Sequence, residues 1–250
     1  MIAADEVHVW QIDLTLPLPA AWAASLDAHE QARAARFVSA TLQAQFRRAR
    51  GALRAVLAHY TRRDAASLAL VQGAYGKPAL ASGEVEFNLS HSGSLALLAV
   101  APAGCPVGID IECMHERRID IAALLDMVCH ASEKAAIASL AGDAQRHAFY
   151  ALWTRKEAYI KALGLGLQVD PCTVAFMPGA EDSGWSVAEM AAENRGRAWQ
   201  VRTLEMVTGY AGSICLARGS MRMVELDVAA LRLKILSLIH ENLVQHVKVN

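Results

Sequence analysis

Val107-Gly108-Ile109-Asp110-Ile111-Glu112, residues 107–112, alternates apolar and acidic side chains over the length of a short strand. Successive side chains of a strand point to opposite faces, so Ile109 and Ile111 share the core face while Asp110 and Glu112 stand together on the other. Two carboxylates this close repel unless a proton or a cation lies between them. Mg²⁺ suits such a pair, because it takes one or two carboxylates and completes its octahedron with water and phosphate oxygens. A solvated acidic face on an edge strand is the plainer reading of the same alternation.

The uncharged run 92–109 contains Pro102, Pro106 and glycines. It reads as a strand, a turn and a second strand, since a bilayer span requires a continuous helix. Upstream, 7–14 predicts a strand, Pro17 and Pro19 a break, and 22–37 an Ala-rich helix. In 42–60 the residues Leu42, Phe46, Leu53, Val56 and Leu57 fall at helical spacing, with Arg47, Arg48, Arg50 and Arg54 interleaved. Short strands are predicted at 68–71, 85–89 and 95–101. Downstream the order repeats loosely: helices at 121–129, 132–140 and 143–163, then strands at 173–177, 199–204 and 210–216. The expectation is an α+β fold of two similar subdomains in pseudo-twofold arrangement, 1–105 and 106–219, with the site between them. Leucines and isoleucine from Leu226 to Ile239 predict a C-terminal helical extension over 220–250.

Composition sets limits on partners. With 54% hydrophobic and 20% charged residues in 250, the chain is a globular protein, and its formal net charge of -1 gives no global basic field for nucleic acid or an anionic membrane. An anionic ligand must therefore be held by a local cluster. The 5 cysteines show no CxxC spacing, which points to reduced thiols and a cytoplasmic protein. The acidic start has no basic region before an apolar stretch, against a signal peptide.

Two further segments carry chemistry. Trp153-Thr154-Arg155-Lys156-Glu157-Ala158-Tyr159-Ile160-Lys161 lies on a helix that Gly164 is expected to end. Glu157 and Lys161 are i,i+4 neighbours; a surface ion pair is the common case, but Trp153 and Ile160 share their side and argue for burial. Phe87-Asn88-Leu89-Ser90-His91-Ser92-Gly93 runs from an apolar strand into hydroxyls, an imidazole and a glycine, groups suited to a phosphate. A hydrolase reading is disfavoured, because neighbouring Ser90 and His91 point to opposite faces and no GxSxG elbow is present. Lys77, in Gly76-Lys77-Pro78, reads alone as an exposed turn lysine.

In order, YGKP (75–78), FNLSHSG (87–93), VGIDIE (107–112) and FYALWTRKEAYIKALGLGL (149–167) resemble the Sfp-type 4′-phosphopantetheinyl transferases. The resemblance implies an enzyme that moves phosphopantetheine from coenzyme A to a serine of an apo acyl or peptidyl carrier protein, releasing 3′,5′-ADP. It further implies Asp110, Glu112 and Glu157 as Mg²⁺ ligands, and Lys77, Ser90, His91 and Lys161 as contacts to the coenzyme A phosphates. Glu157 would take the serine proton and Lys161 would stabilise the departing 3′,5′-ADP. With both halves in one chain, a monomer is expected.

The chain also departs from the family. The start of the 42–60 helix reads Leu42-Gln43-Ala44-Gln45, without the usual acid and basic residue, and lysines before Arg36-Phe37 are missing. Arg33, Arg47 or Arg48 would have to serve the 3′-phosphate, or coenzyme A binds more weakly. The arginines of 45–54 are also expected to offer a patch to an acidic carrier. The competing readings are a metal-dependent phosphohydrolase of a nucleotide or coenzyme A, and a non-catalytic coenzyme A-binding protein.

Overall fold

A computed structural model describes residues 2–115, 120–178, 185–189, 199–217 and 222–227. Strand β1 (Glu6–Asp13) is followed by helices α1 (Ala20–Ala24), α2 (Ala28–Ala35) and α3 (Ala40–Thr61), then strands β2 (Leu70–Gln72), β3 (Pro78–Leu80), β4 (Val85–Ser92) and β5 (Leu95–Pro102). The second half runs in the same order: β6 (Val107–Cys113), helices α4 (Ile121–Val128), α5 (Ala131–Ala138) and α6 (Gly142–Leu163), then β7 (Ala175–Pro178), β8 (Trp185–Glu189), β9 (Trp199–Leu204) and β10 (Tyr210–Ala217). A last strand, β11 (Arg222–Asp227), follows. The expected duplication is thus present at the level of elements: strand, three helices, four strands, twice.

Period-two burial stacks these elements in four layers. On β1, Trp10 and Ile12 pack against α3, whereas Val7 and Val9 face the second half. On β5, Ala96, Leu98 and Val100 meet α3, and Leu95, Leu97, Ala99 and Ala101 meet Ile109, Ile111, Ile214 and Leu216 of β6 and β10. The next layer is α6, whose Ala158, Tyr159 and Ala162 cover Val201 and Cys215. The order is α3, sheet β11-β1-β5-β4, sheet β6-β10-β9-β8-β7, α6. Its sheet-on-sheet interior requires β5 to be apolar on both faces, which explains the long uncharged run.

Two expectations are corrected. The 22–37 helix is broken at 25–27, where Asp27 caps α2: its side chain accepts from the Glu30 N–H and the Glu30 side chain accepts from the Asp27 N–H. The extension expected to be helical begins instead as β11, which pairs parallel with β1 from Glu6↔Arg222 to Gln11↔Asp227. The exposed edge of β1 supplies a hydrogen-bonding partner, and Met223 and Leu226 pack on opposite faces of the sheet. The remainder of that expected helix, 228–250, lies outside the described residues. No helix among the described residues is long and apolar enough to cross a membrane.

Candidate active site

The two sheets meet where β4 passes β6, and side chains join them in place of a backbone ladder. Asn88, Ser90 and Ser92 occupy alternate positions of β4 and therefore one face. Asn88 Oδ1 accepts the Ile109 N–H at 2.8 Å and Ser92 Oγ accepts the Cys113 N–H at 3.0 Å, satisfying an edge of β6 that would otherwise be unpaired. Ser90 Oγ donates to Asp110 Oδ1 at 2.8 Å, and Ser92 Oγ donates to Glu112 Oε2 at 2.8 Å. The alternation of β4 thus sets the orientation of both acids on β6.

Across from these acids lies α6, brought close by Gly108. A Cβ at this position would lie 2.0 Å from the Ala158 carbonyl oxygen and 2.3 Å from the Ala162 nitrogen, so only glycine permits the approach. Lys161, one turn beyond Glu157, donates to Asp110 Oδ1 at 2.5 Å and to Ser90 Oγ at 3.0 Å. The helix stops at Gly164, as expected, with φ +69°. Its register is held by Lys156, fully buried, which pairs with Glu133 at 2.7 Å and donates to the carbonyls of Pro171 and Val174.

Positive charge is short in this cluster. Asp110 is 2% exposed, and its Oδ2 is buried with no hydrogen-bond partner among the described residues. Burial, and then the Asp110 charge, pushes the Glu112 carboxyl above its ordinary 4.5, against the opposing bonds from Ser92 and Trp153. Glu157 is pushed up by burial and by Asp110 and Glu112, with Lys161 opposing. Among the described residues no three acidic, histidine or cysteine side chains converge as placed on one ion position. An orphaned carboxylate oxygen beside two acids that resist ionisation nevertheless fits a hard divalent cation.

A cleft of about 560 Å³ opens beside Glu112, between the halves. His91, Ser92 and Cys113 line it near the acids, with Phe37 and Phe46 from one half and Phe149, Tyr150 and Trp153 from the other. Ser90 and His91 diverge as expected, Ser90 to Asp110 and the exposed His91 to the cleft. Lys77 does not join the acids: its ammonium is held by the Val107 carbonyl at 2.8 Å and faces that of Ala162 at 3.5 Å, and burial lowers its pKa. Residue patterns did not reveal the support from Asn88, Ser92, Gly108 and Lys156. The alternating Asn-x-Ser-x-Ser of β4 is the one available signal, and it has meaning only once β6 lies alongside.

The arginines of 45–54 are also differently employed. Arg54 is fully buried on Glu30 and Asp27, Arg50 binds Glu30, and Arg48 donates to the Leu14 carbonyl at 2.8 Å. That leaves Arg47 exposed, in place of the expected basic patch.

A family model described as the 4′-phosphopantetheinyl transferase superfamily matches residues 106–215, which contain both acid-bearing elements. The 4′-phosphopantetheinyl transferase HetI of Nostoc sp. is 32% identical over 205 residues, covering 77% of this chain and 86% of the relative. The chain belongs to the 4′-phosphopantetheinyl transferase superfamily. A second transferase, gsp of Aneurinibacillus migulanus, is 33% identical over 141 residues, 56% of this chain and 55% of the relative. A solved holo-(acyl-carrier-protein) synthase from Bacillus anthracis overlaps 45% of the chain and 94% of its own length at 17% identity, with a TM-score of 0.38. In this transferase the acids and Lys161 come from the region matched by the family model, while Ser90 and His91 come from the half before it.

Proposed function

We propose that this transferase moves the 4′-phosphopantetheine arm of coenzyme A onto a serine of an apo carrier protein and releases 3′,5′-ADP, with Asp110, Glu112 and Glu157 holding Mg²⁺. The carrying observation is the buried Oδ2 of Asp110, without a partner among the described residues and within electrostatic reach of Glu112, Glu157 and Lys161, where Glu112 lines a cleft between the halves. When bound there, Mg²⁺ would neutralise pyrophosphate charge and polarise the phosphorus under attack.

The remaining work falls to the chain's own side chains. Glu157, less acidic than an ordinary carboxyl because of burial, accepts the proton of the attacking serine hydroxyl. Lys161 donates to the phosphate oxygens and stabilises negative charge on the departing 3′,5′-ADP. Ser90 and His91 orient the phosphates from the β4 side, while Lys77 braces β6 against the end of α6. Arg33 and Arg36, which with His29 face a shallow cleft beside Phe37, are the basic groups best placed for the 3′-phosphate. Aromatic walls in the cleft beside Glu112 suit the pantetheine arm and exclude water from the reacting groups. Both sides of the cleft come from one chain, which supports action as a monomer. The five free cysteines suit a reducing cytoplasm.

The test is to incubate the protein with coenzyme A, Mg²⁺ and a panel of apo carrier domains while following each carrier's intact mass. A gain of one phosphopantetheine that disappears on chelation is expected. Coenzyme A cleavage without any carrier would instead establish a phosphohydrolase, and binding without turnover a coenzyme A-binding protein.

A further inference from the structure

Lys161 holds a position that the metal reading also requires. Its ammonium sits 2.5 Å from Asp110 Oδ1 and 3.0 Å from Ser90 Oγ, so it serves as the counter-charge of a nearly fully buried carboxylate. A divalent cation ligated by Asp110 would stand next to this ammonium, and two positive charges at that separation repel strongly in a partly buried site. The lysine side chain is 29% exposed, against 3% for the Asp110 side chain, so the lysine is the partner able to move. It lies on the last turn of α6, with a flexible stem, and an anionic phosphate arriving from the cleft offers its ammonium a new partner.

We infer that Lys161 acts as a resident counter-ion that keeps the divalent cation out until coenzyme A arrives. In the free protein it neutralises Asp110; the coenzyme A phosphates then draw the ammonium away and leave both Asp110 oxygens to the cation. Coenzyme A and the cation therefore bind cooperatively, and part of their coupling runs through this one side chain. The inference rests on the metal reading of Asp110, Glu112 and Glu157. It goes beyond that reading by giving Lys161 a task before any chemistry begins.

The probe is Mn²⁺, with the free ion counted by electron paramagnetic resonance and no coenzyme A present. Lys161→Met and Lys161→Gln should bind Mn²⁺ on the order of tenfold more tightly than the wild type, because the cation no longer competes with an ammonium. Lys161→Arg, which keeps the charge, should bind as weakly as the wild type. Adding coenzyme A should tighten Mn²⁺ binding more in the wild type than in Lys161→Met. Two neutral variants allow for one that fails to fold, and unchanged or weaker Mn²⁺ binding in the folded variant overturns the inference. Asp110→Asn in the presence of coenzyme A separates the two layers. If it loses Mn²⁺ while neutral Lys161 variants show no gain, only the exchange fails; if it keeps Mn²⁺, the metal assignment itself fails.

Discussion

The two halves each bury a cluster of charges, and the clusters are balanced differently. In the first, Arg54 donates to Glu30 and Asp27 at 2.6 Å and to the carbonyls of Ala65 and Leu68, while Arg50 takes the second oxygen of Glu30. Two cations meet two acids, and the guanidinium is bonded on every nitrogen. In the second, Asp110, Glu112 and Glu157 share Lys161, and an Asp110 oxygen has no partner among the described residues. Burial of charge is costly in either place. The closed cluster meets that cost within the fold, joining α2 to α3, whereas the open one leaves a deficit that a cationic ligand can fill.

The contrast breaks most sharply if the open cluster proves structural. Asp110→Ala should reduce transfer to a carrier about 10⁴-fold, measured by intact mass, with a melting temperature close to wild type. Arg54→Met should do the reverse, costing about 3 kcal/mol in denaturant unfolding by removing one of the two cations that hold Glu30, with turnover per folded molecule retained. Gly108→Ala probes the contact joining strand and helix: its Cβ meets backbone atoms of α6, so about 3 kcal/mol of stability should be lost together with activity.

The smallest effect is on pH dependence. Glu112 and Glu157 have folded pKa values above their ordinary 4.5, so their stabilising contribution is fully present below 4.5 and lost as pH rises through the raised values. Thermal melts of metal-free protein from acid to neutral pH should show this decline. Glu112→Gln should flatten it, and Mg²⁺ with coenzyme A should offset it at neutral pH; a profile identical in wild type and variant would count against an uncompensated acid cluster.

Most of the architecture was legible because burial leaves a periodic trace. The alternation of 107–112 marked β6, the helical spacing in 42–60 marked α3, and the helix expected at 143–163 matches α6 to within a few residues. What escaped depends on partners distant in the chain. Nothing local distinguishes 222–227 from a helix until the edge of β1 is available, and strands β3 and β8 were not anticipated. At the site, Asp110, Glu112, Glu157, Lys161 and Ser90 were named from their spacing and family likeness, and the fold brings them together or within electrostatic reach. Lys77 was named too, but its backbone partners belong to β6 and α6, far along the chain. Likewise, the arginines of α3 read as a surface patch because their acids, Asp27 and Glu30, sit on another helix.

The parallel pairing of β11 with β1 makes the two halves an interlaced pair. After completing the second sheet, the chain crosses back and contributes the outermost strand of the first. Severing the connection near Pro106 would therefore leave two pieces clasped by a shared sheet as well as by the sandwich interior. A piece containing only 1–105 would carry β1 as an uncovered edge, open to self-association, until a piece carrying β11 restored its neighbour. This connectivity suits reconstitution of the transferase from two separately made segments, with the returning strand acting as the latch.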